Sequence, residues 1–200
     1  MAIREQLRKG VNLFRMKTHL LLFEGYVSFE IMLASYFMKT QGEIVTVALD
    51  RGPLRSYEGL SVNPDTLFTE LNPAEVELLI IPGGDVTSLL DRQSLFEWLR
   101  ALDRNGSALA AICAGTLLLG KAGVLAGRSF TTNAETEMRT ITSEGHYMDS
   151  NVVVDGRLVT AKAQGYVDFG IELGKVMEIY SGPEDLAETI EVFKYFGGSK

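Results

Sequence analysis

SALAAICAGT, residues 107–116, is the stretch on which the fold turns. Small and apolar side chains run without a break to Cys113, the single cysteine of the chain, and Ala114, Gly115 and Thr116 follow at once. An apolar run of this length, closed by a glycine, predicts a buried strand over 107–112 and a helix over 115–122. A cysteine at so sharp a strand-to-helix turn stands on a nucleophile elbow, where crowding admits only small neighbours. Ala111, Ala114 and Gly115 meet that demand.

Outward from this turn, strand-like runs alternate with helical patterns. Upstream, residues 76–81 form a short apolar strand that ends at Pro82-Gly83-Gly84, and 94–103 read as an amphipathic helix with Leu95, Trp98, Leu99 and Leu102 on one side. Further back come a strand over 18–23, a helix over 29–39, a strand over 43–48 and a short hairpin over 54–62. Downstream, runs at 152–154 and 158–160 flank Asp155-Gly156, a strong hairpin signal. A helix over 167–180 follows, and Pro183 opens a last helix reaching 196. Such alternation predicts an α/β fold: one flavodoxin-like parallel sheet sandwiched by helices, with residues 1–16 as an N-terminal extension and 17–200 as one domain. Ligands bind such sheets beyond the C-terminal strand ends. The breaks at Phe23-Glu24-Gly25, Pro82-Gly83-Gly84 and Cys113-Ala114-Gly115 are therefore expected at one rim.

Composition narrows the function. Hydrophobic residues make up 46% and charged residues 22%, an ordinary globular balance, and the net charge of −7 opposes a non-specific grip on nucleic acid. A lone cysteine makes no internal disulfide, and with only two histidines, His19 and His146, no zinc spacing occurs, so neither metal nor cofactor is expected. No apolar run approaches membrane-spanning length, so no membrane partner is expected and the expected compartment is the cytoplasm. The first seventeen residues carry net +4, and Ile3, Leu7, Val11 and Phe14 recur at helical spacing. That leader reads as an appendage, with Met16 as an alternative start.

A lone cysteine is most often a small buried apolar residue. Here the turn argues otherwise, because the following helix points its free amides toward the sulfur. Its dipole favours thiolate and would lower the thiol by roughly one unit, and the same amides suit an oxyanion.

VELLIIPGG (76–84) and AAICAGT (110–116) resemble matching motifs of the ThiJ/PfpI superfamily, which has a class I glutamine amidotransferase-like fold and includes the parkinsonism-associated deglycase and isonitrile hydratases. The resemblance continues through Thr131-Thr132-Asn133, Gly145-His146-Tyr147 and DGRLVT (155–160). It implies catalysis by Cys113 with a carboxylic acid after the first strand, for which Glu30 fits better than Glu24. Burial would raise the Glu30 pKa and let it serve as a general acid–base. It further implies a backbone oxyanion cradle at Gly83, Gly84 and Ala114.

One departure matters. Relatives close to the deglycase carry histidine where this chain has Asn133, and others carry it where this chain has Ala114. Asparagine cannot take a proton near neutral pH, so Asn133 and His146 are supporting candidates only. AKAQG (161–165) also replaces the deglycase-like stretch SRGPG, so the substrate does not transfer by analogy.

The expected activity is that of a cysteine-dependent enzyme, hydrolase or lyase, on a small electrophilic carbonyl compound. It would be glyoxalase- or deglycase-like, with isonitrile hydration and protease- or amidase-like hydrolysis as family variants. Two other classes stand beside it: an oxidative-stress sensor or chaperone using an oxidisable Cys113, and a ligand-binding domain without chemistry. The family also implies a homodimer, for which Tyr26, Val27 and Phe29 are the apolar candidates.

Overall fold

The computed structural model describes residues 16–141 and 144–197. The leader, 1–15, lies outside them. β1 (Met16–Leu21) begins at the last residue assigned to the extension. It is followed by α1 (Phe29–Lys39), β2 (Gly42–Ala48), β3 (Leu54–Arg55), β4 (Ser61–Val62), β5 (Thr66–Leu67), β6 (Leu78–Ile81) and α2 (Gln93–Arg104). The second half holds β7 (Ala108–Ile112), α3 (Thr116–Lys121), β8 (Ser129–Phe130), α4 (Glu135–Ile141), β9 (His146–Tyr147), β10 (Val152–Asp155), β11 (Leu158–Ala161), α5 (Tyr166–Val176) and α6 (Pro183–Phe193).

Seven strands form the main sheet in the order β10-β11-β7-β6-β1-β2-β5. All neighbours run parallel except β10, which returns antiparallel to β11 through the expected hairpin. Within it, β2-β1-β6-β7-β11 follow the flavodoxin-like order, whose switch point lies between β1 and β6. The central strands are buried on both faces, as continuous apolar runs such as LLII in β6 and ALAAI in β7 require. α1 packs on α5, and α2 on α3, as two helical layers. Ile31, Ala34, Phe37 and Met38 carry α1 onto the sheet, and Leu95, Leu99 and Leu102 do so for α2. Each such large apolar side chain contributes about 1.5–3 kcal/mol.

Several boundaries differ from expectation for local reasons. The helix expected over 115–122 is the six-residue α3, which the chain enters through a tight 3-10 turn over Cys113–Gly115. α5 stops at Val176 rather than 180, because Glu178 turns left-handed (φ 52°) and the Ile179 amide closes back on the Gly174 carbonyl at 3.0 Å. Tyr26, a candidate for the dimer surface, is instead core at 1% exposure, whereas Phe29 is about half exposed.

Candidate active site

Cys113 sits where β7 ends and the chain must turn immediately. Its backbone is left-handed, with φ 56°, which costs a non-glycine residue about 1–2 kcal/mol. Two buried hydroxyls hold that strained residue. The Thr116 and Thr132 side chains lie 2.8 and 3.0 Å from the Cys113 carbonyl oxygen and 2.6 Å from each other. Both threonines are fully buried, and Thr132 Oγ1 also accepts from the Ala134 amide at 3.0 Å. Neither was singled out from sequence for this task, because threonine in a strand or first helical turn carries no signal of its own.

The three expected rim loops do meet. Glu30, on the first turn of α1, is 2% exposed, and its Oε2 accepts from the Gly83 amide at 2.7 Å. The Cys113 thiol lies beside the same carboxyl, and each group shifts the other's titration. Gly83 lies between them so tightly that a Cβ there would be 2.5 Å from Glu30 Oε2, 2.7 Å from Cys113 Cβ and 3.1 Å from Cys113 Sγ. Only glycine fits. Its amide is committed to Glu30, which corrects its expected place in an oxyanion cradle. Gly84 is held against Tyr26 in an isolated antiparallel bridge, and its amide and that of Ala114 stay the candidates for that cradle.

Electrostatics follow from this packing. Burial pushes the Glu30 carboxyl up, and the Gly83 amide and the Cys113 thiol pull it back only in part. Burial, then the charge of Glu30, pushes the Cys113 thiol up to about 11 against the Ala114 amide. The expected lowering by a helix dipole is thus overturned, since a six-residue α3 cannot outweigh burial beside a carboxylate. The Glu30 contributions apply while Glu30 is ionised. Once the carboxyl holds the proton, it becomes a donor to sulfur and its opposition disappears. The two groups therefore titrate as a pair.

The remaining candidates lie apart. Glu24 accepts from the Arg55 amide at 3.0 Å in an exposed loop. Asn133 Oδ1 accepts from the Ala163 amide at 2.6 Å and its Nδ2 donates to Gln164 Oε1 at 3.2 Å, which ties two loops together. His146 is exposed on β9, and its amide donates to the Arg128 carbonyl at 2.9 Å. No side-chain hydrogen bond joins it to Cys113 or Glu30 among the described residues. Among those residues no group of three or more His, Cys, Asp or Glu side chains is placed to hold a metal ion, and no helix is long and apolar enough to cross a membrane.

Known proteins share this arrangement of elements. The chain is 30% identical over 152 residues to the deglycase PfpI of Pyrococcus furiosus, covering 75% of this chain and 92% of that one. It is 31% identical over 135 residues to a glutathione-independent glyoxalase of Caenorhabditis elegans, covering 66% and 70%. A DJ-1 superfamily protein of Agrobacterium tumefaciens superposes with a TM-score of 0.80 at 29% identity, covering 90% of this chain and 99% of the other. The sequence pattern of the DJ-1/PfpI family matches residues 16–175, a span that holds β1, β6 and β7 and every turn that brings Glu30, Gly83 and Cys113 together. With four-fifths of its length inside that pattern, the chain belongs to the DJ-1/PfpI family.

Proposed function

We propose that the protein is a cysteine-dependent enzyme acting on small electrophilic carbonyl compounds, 2-oxoaldehydes above all, in the manner of a glyoxalase or deglycase. One observation carries the reading: the half-buried Cys113 thiol and the buried Glu30 carboxyl face each other across Gly83 at the sheet's C-terminal rim. The names of relatives, a deglycase and a glyoxalase, support it.

Proton transfer to Glu30 frees the thiolate, which attacks the aldehyde carbon. A C–S bond forms and the carbonyl π pair moves onto oxygen, toward the Gly84 and Ala114 amides. Glu30 returns its proton to that oxygen, giving a hemithioacetal. As a carboxylate, it then takes the hydrogen from the same carbon as a proton and delivers it to the adjacent carbon. The hydroxyl proton passes from the first oxygen to the neighbouring carbonyl oxygen, so that a thioester C=O and a 2-hydroxyl form. One carbon is oxidised and its neighbour reduced, so no outside oxidant enters. Water cleaves the resulting thioester, releasing a 2-hydroxy acid and the thiol. A positioned acid–base contributes about 10²–10⁴ in rate. E30Q should therefore lose about that factor in methylglyoxal turnover, and C113S should fall to background. Full turnover by C113S would end the proposal.

Isonitrile hydration uses the same residues. Amide hydrolysis has less support, because Asn133 supplies no base. A cytoplasmic homodimer fits the reading, with Phe29, Met32 and Tyr36 forming a half-exposed stripe on α1 as the proposed contact.

A further inference from the structure

α1 begins with Ser28 as its N-cap, yet the serine side chain makes no cap hydrogen bond. The cap comes from Glu58, in the turn between β3 and β4. Its Oε2 accepts from the Ser28 amide at 3.1 Å and its Oε1 from the Phe29 amide at 3.2 Å. The same hairpin grips the preceding residues. The Arg55 carbonyl accepts from the Gly25 amide at 2.8 Å, and the Tyr57 amide donates to the Tyr26 carbonyl at 2.8 Å. The inner edge of that segment is held in turn by the Val27 amide on the Gly83 carbonyl at 2.9 Å. The chain that carries Glu30 is thus strapped between the hairpin and the Gly83 loop.

We propose that Glu58 is a positioning residue for Glu30: it fixes the first turn of α1 and, by its negative charge, biases the proton shared by Glu30 and Cys113 toward the carboxyl. This deepens the reading of Glu30 and Cys113 as a proton-sharing pair and rests on it. Although burial works against it, the amides of Ser28 and Phe29, its own amide and the Ser56 hydroxyl hold the Glu58 carboxyl down at about 2, so it is ionised at any working pH. Three groups act on Glu30: the Gly83 amide from the β6 loop, the Cys113 thiol from the β7 turn, and Glu58 from the hairpin. Glu58 caps the helix that carries Glu30, whereas Cys113 stands on the β7 turn. A negative charge on the α1 side of the pair penalises the carboxylate–thiol form more than the carboxyl–thiolate form. One charge at a helix end shifts such a ratio about 2- to 5-fold. Glu58 therefore raises the share of reactive thiolate at neutral pH.

Because Cys113 is the only cysteine, iodoacetamide labelling of the full chain followed by mass reads this share directly. At pH 7, E58Q is expected to alkylate about 2- to 5-fold more slowly than the wild type. In an E30Q background, the same change should have no effect. E58A removes the same charge and serves as the second variant. An unchanged or faster rate in E58Q and E58A overturns the proposal, and so does an equal slowing in the E30Q background, which would show Glu58 acting on access alone. The labelling needs no substrate, so its failure is separable from failure of the enzymatic reading, which C113S turnover decides.

Discussion

Gly83→Ala is the substitution that most directly probes how the site is assembled. The added methyl would stand 2.5 Å from Glu30 Oε2 and 2.7 Å from Cys113 Cβ. Neither neighbour yields cheaply: Glu30 is 2% exposed, and the Cys113 backbone is held by Thr116 and Thr132. The carboxyl must swing off the Gly83 amide, giving up a 2.7 Å hydrogen bond. Overpacking costs about 1–3 kcal/mol, and a hydrogen bond to a charged group about 1.5–3 more. For a chain of 200 residues that lowers Tm by roughly 5–20 °C. Gly25→Ala is the control. Gly25 is equally near the rim and has a positive φ of 79°, but a Cβ there meets nothing within 4 Å, so only backbone strain of about 1–2 kcal/mol enters. Thermal melts and methylglyoxal turnover of both variants separate the cases. G83A should lose both stability and turnover, and G25A should keep turnover at a modest cost in Tm. If G83A turns over like the wild type, the Glu30–Gly83–Cys113 arrangement is not what the reaction uses.

Other perturbations test the same geometry. Burial raises the Glu30 pKa, so the folded state binds more protons than the unfolded one as pH climbs from the ordinary carboxyl range through the raised value. The stability Glu30 contributes is complete below that window and is lost across it. E30Q should therefore melt above the wild type at pH 8, with the gap closing toward pH 4, and a lower melting point at pH 8 would contradict this. Thr132→Val removes the hydroxyl that serves the Cys113 carbonyl and the Ala134 amide. It should cost about 1–3 kcal/mol in urea denaturation and reduce kcat, with Thr132→Ser restoring both. His19 is 3% exposed with its Nδ1 unpartnered among the described residues, and burial lowers its pKa. Its contribution is present above the ordinary histidine value and lost as pH falls through the lowered one, so His19→Gln should flatten the decline in urea midpoint between pH 7 and pH 5.

Much of the fold was readable from local pattern. Period and punctuation placed α1 at its true bounds and found β6, β7 and the β10–β11 hairpin, because each of these buries a face whose side chains alternate or run on within a few residues. Pattern failed where elements are too short to show a period. The two-residue strands β5, β8 and β9 exist only through their pairing, and α4 lies in a polar stretch. The site divided in the same way. Cys113 announced itself through small neighbours, and Glu30 through family position. That the Gly83 amide binds Glu30 across 53 residues, or that Glu58 caps α1 across 30, has no local trace, since both depend on where loops meet after the sheet has formed.

Asn133 takes its meaning only from sequence and fold together. Sequence marks it as an imidazole missing from the family pattern. In the fold its side chain accepts from Ala163 and donates to Gln164, so the position works as a loop tie. Glu30 is then the one ionisable side chain acting on the Cys113 sulfur among the described residues. A single carboxyl suits a reaction whose proton leaves one carbon and returns to its neighbour, because the same oxygen carries it both ways. Amide hydrolysis asks for more: a base to activate the nucleophile and then water, and an acid at the leaving amine. On that ground the fixed Asn133 side chain, as much as the sulfur itself, directs the proposed chemistry toward carbonyl rearrangement and away from peptide cleavage.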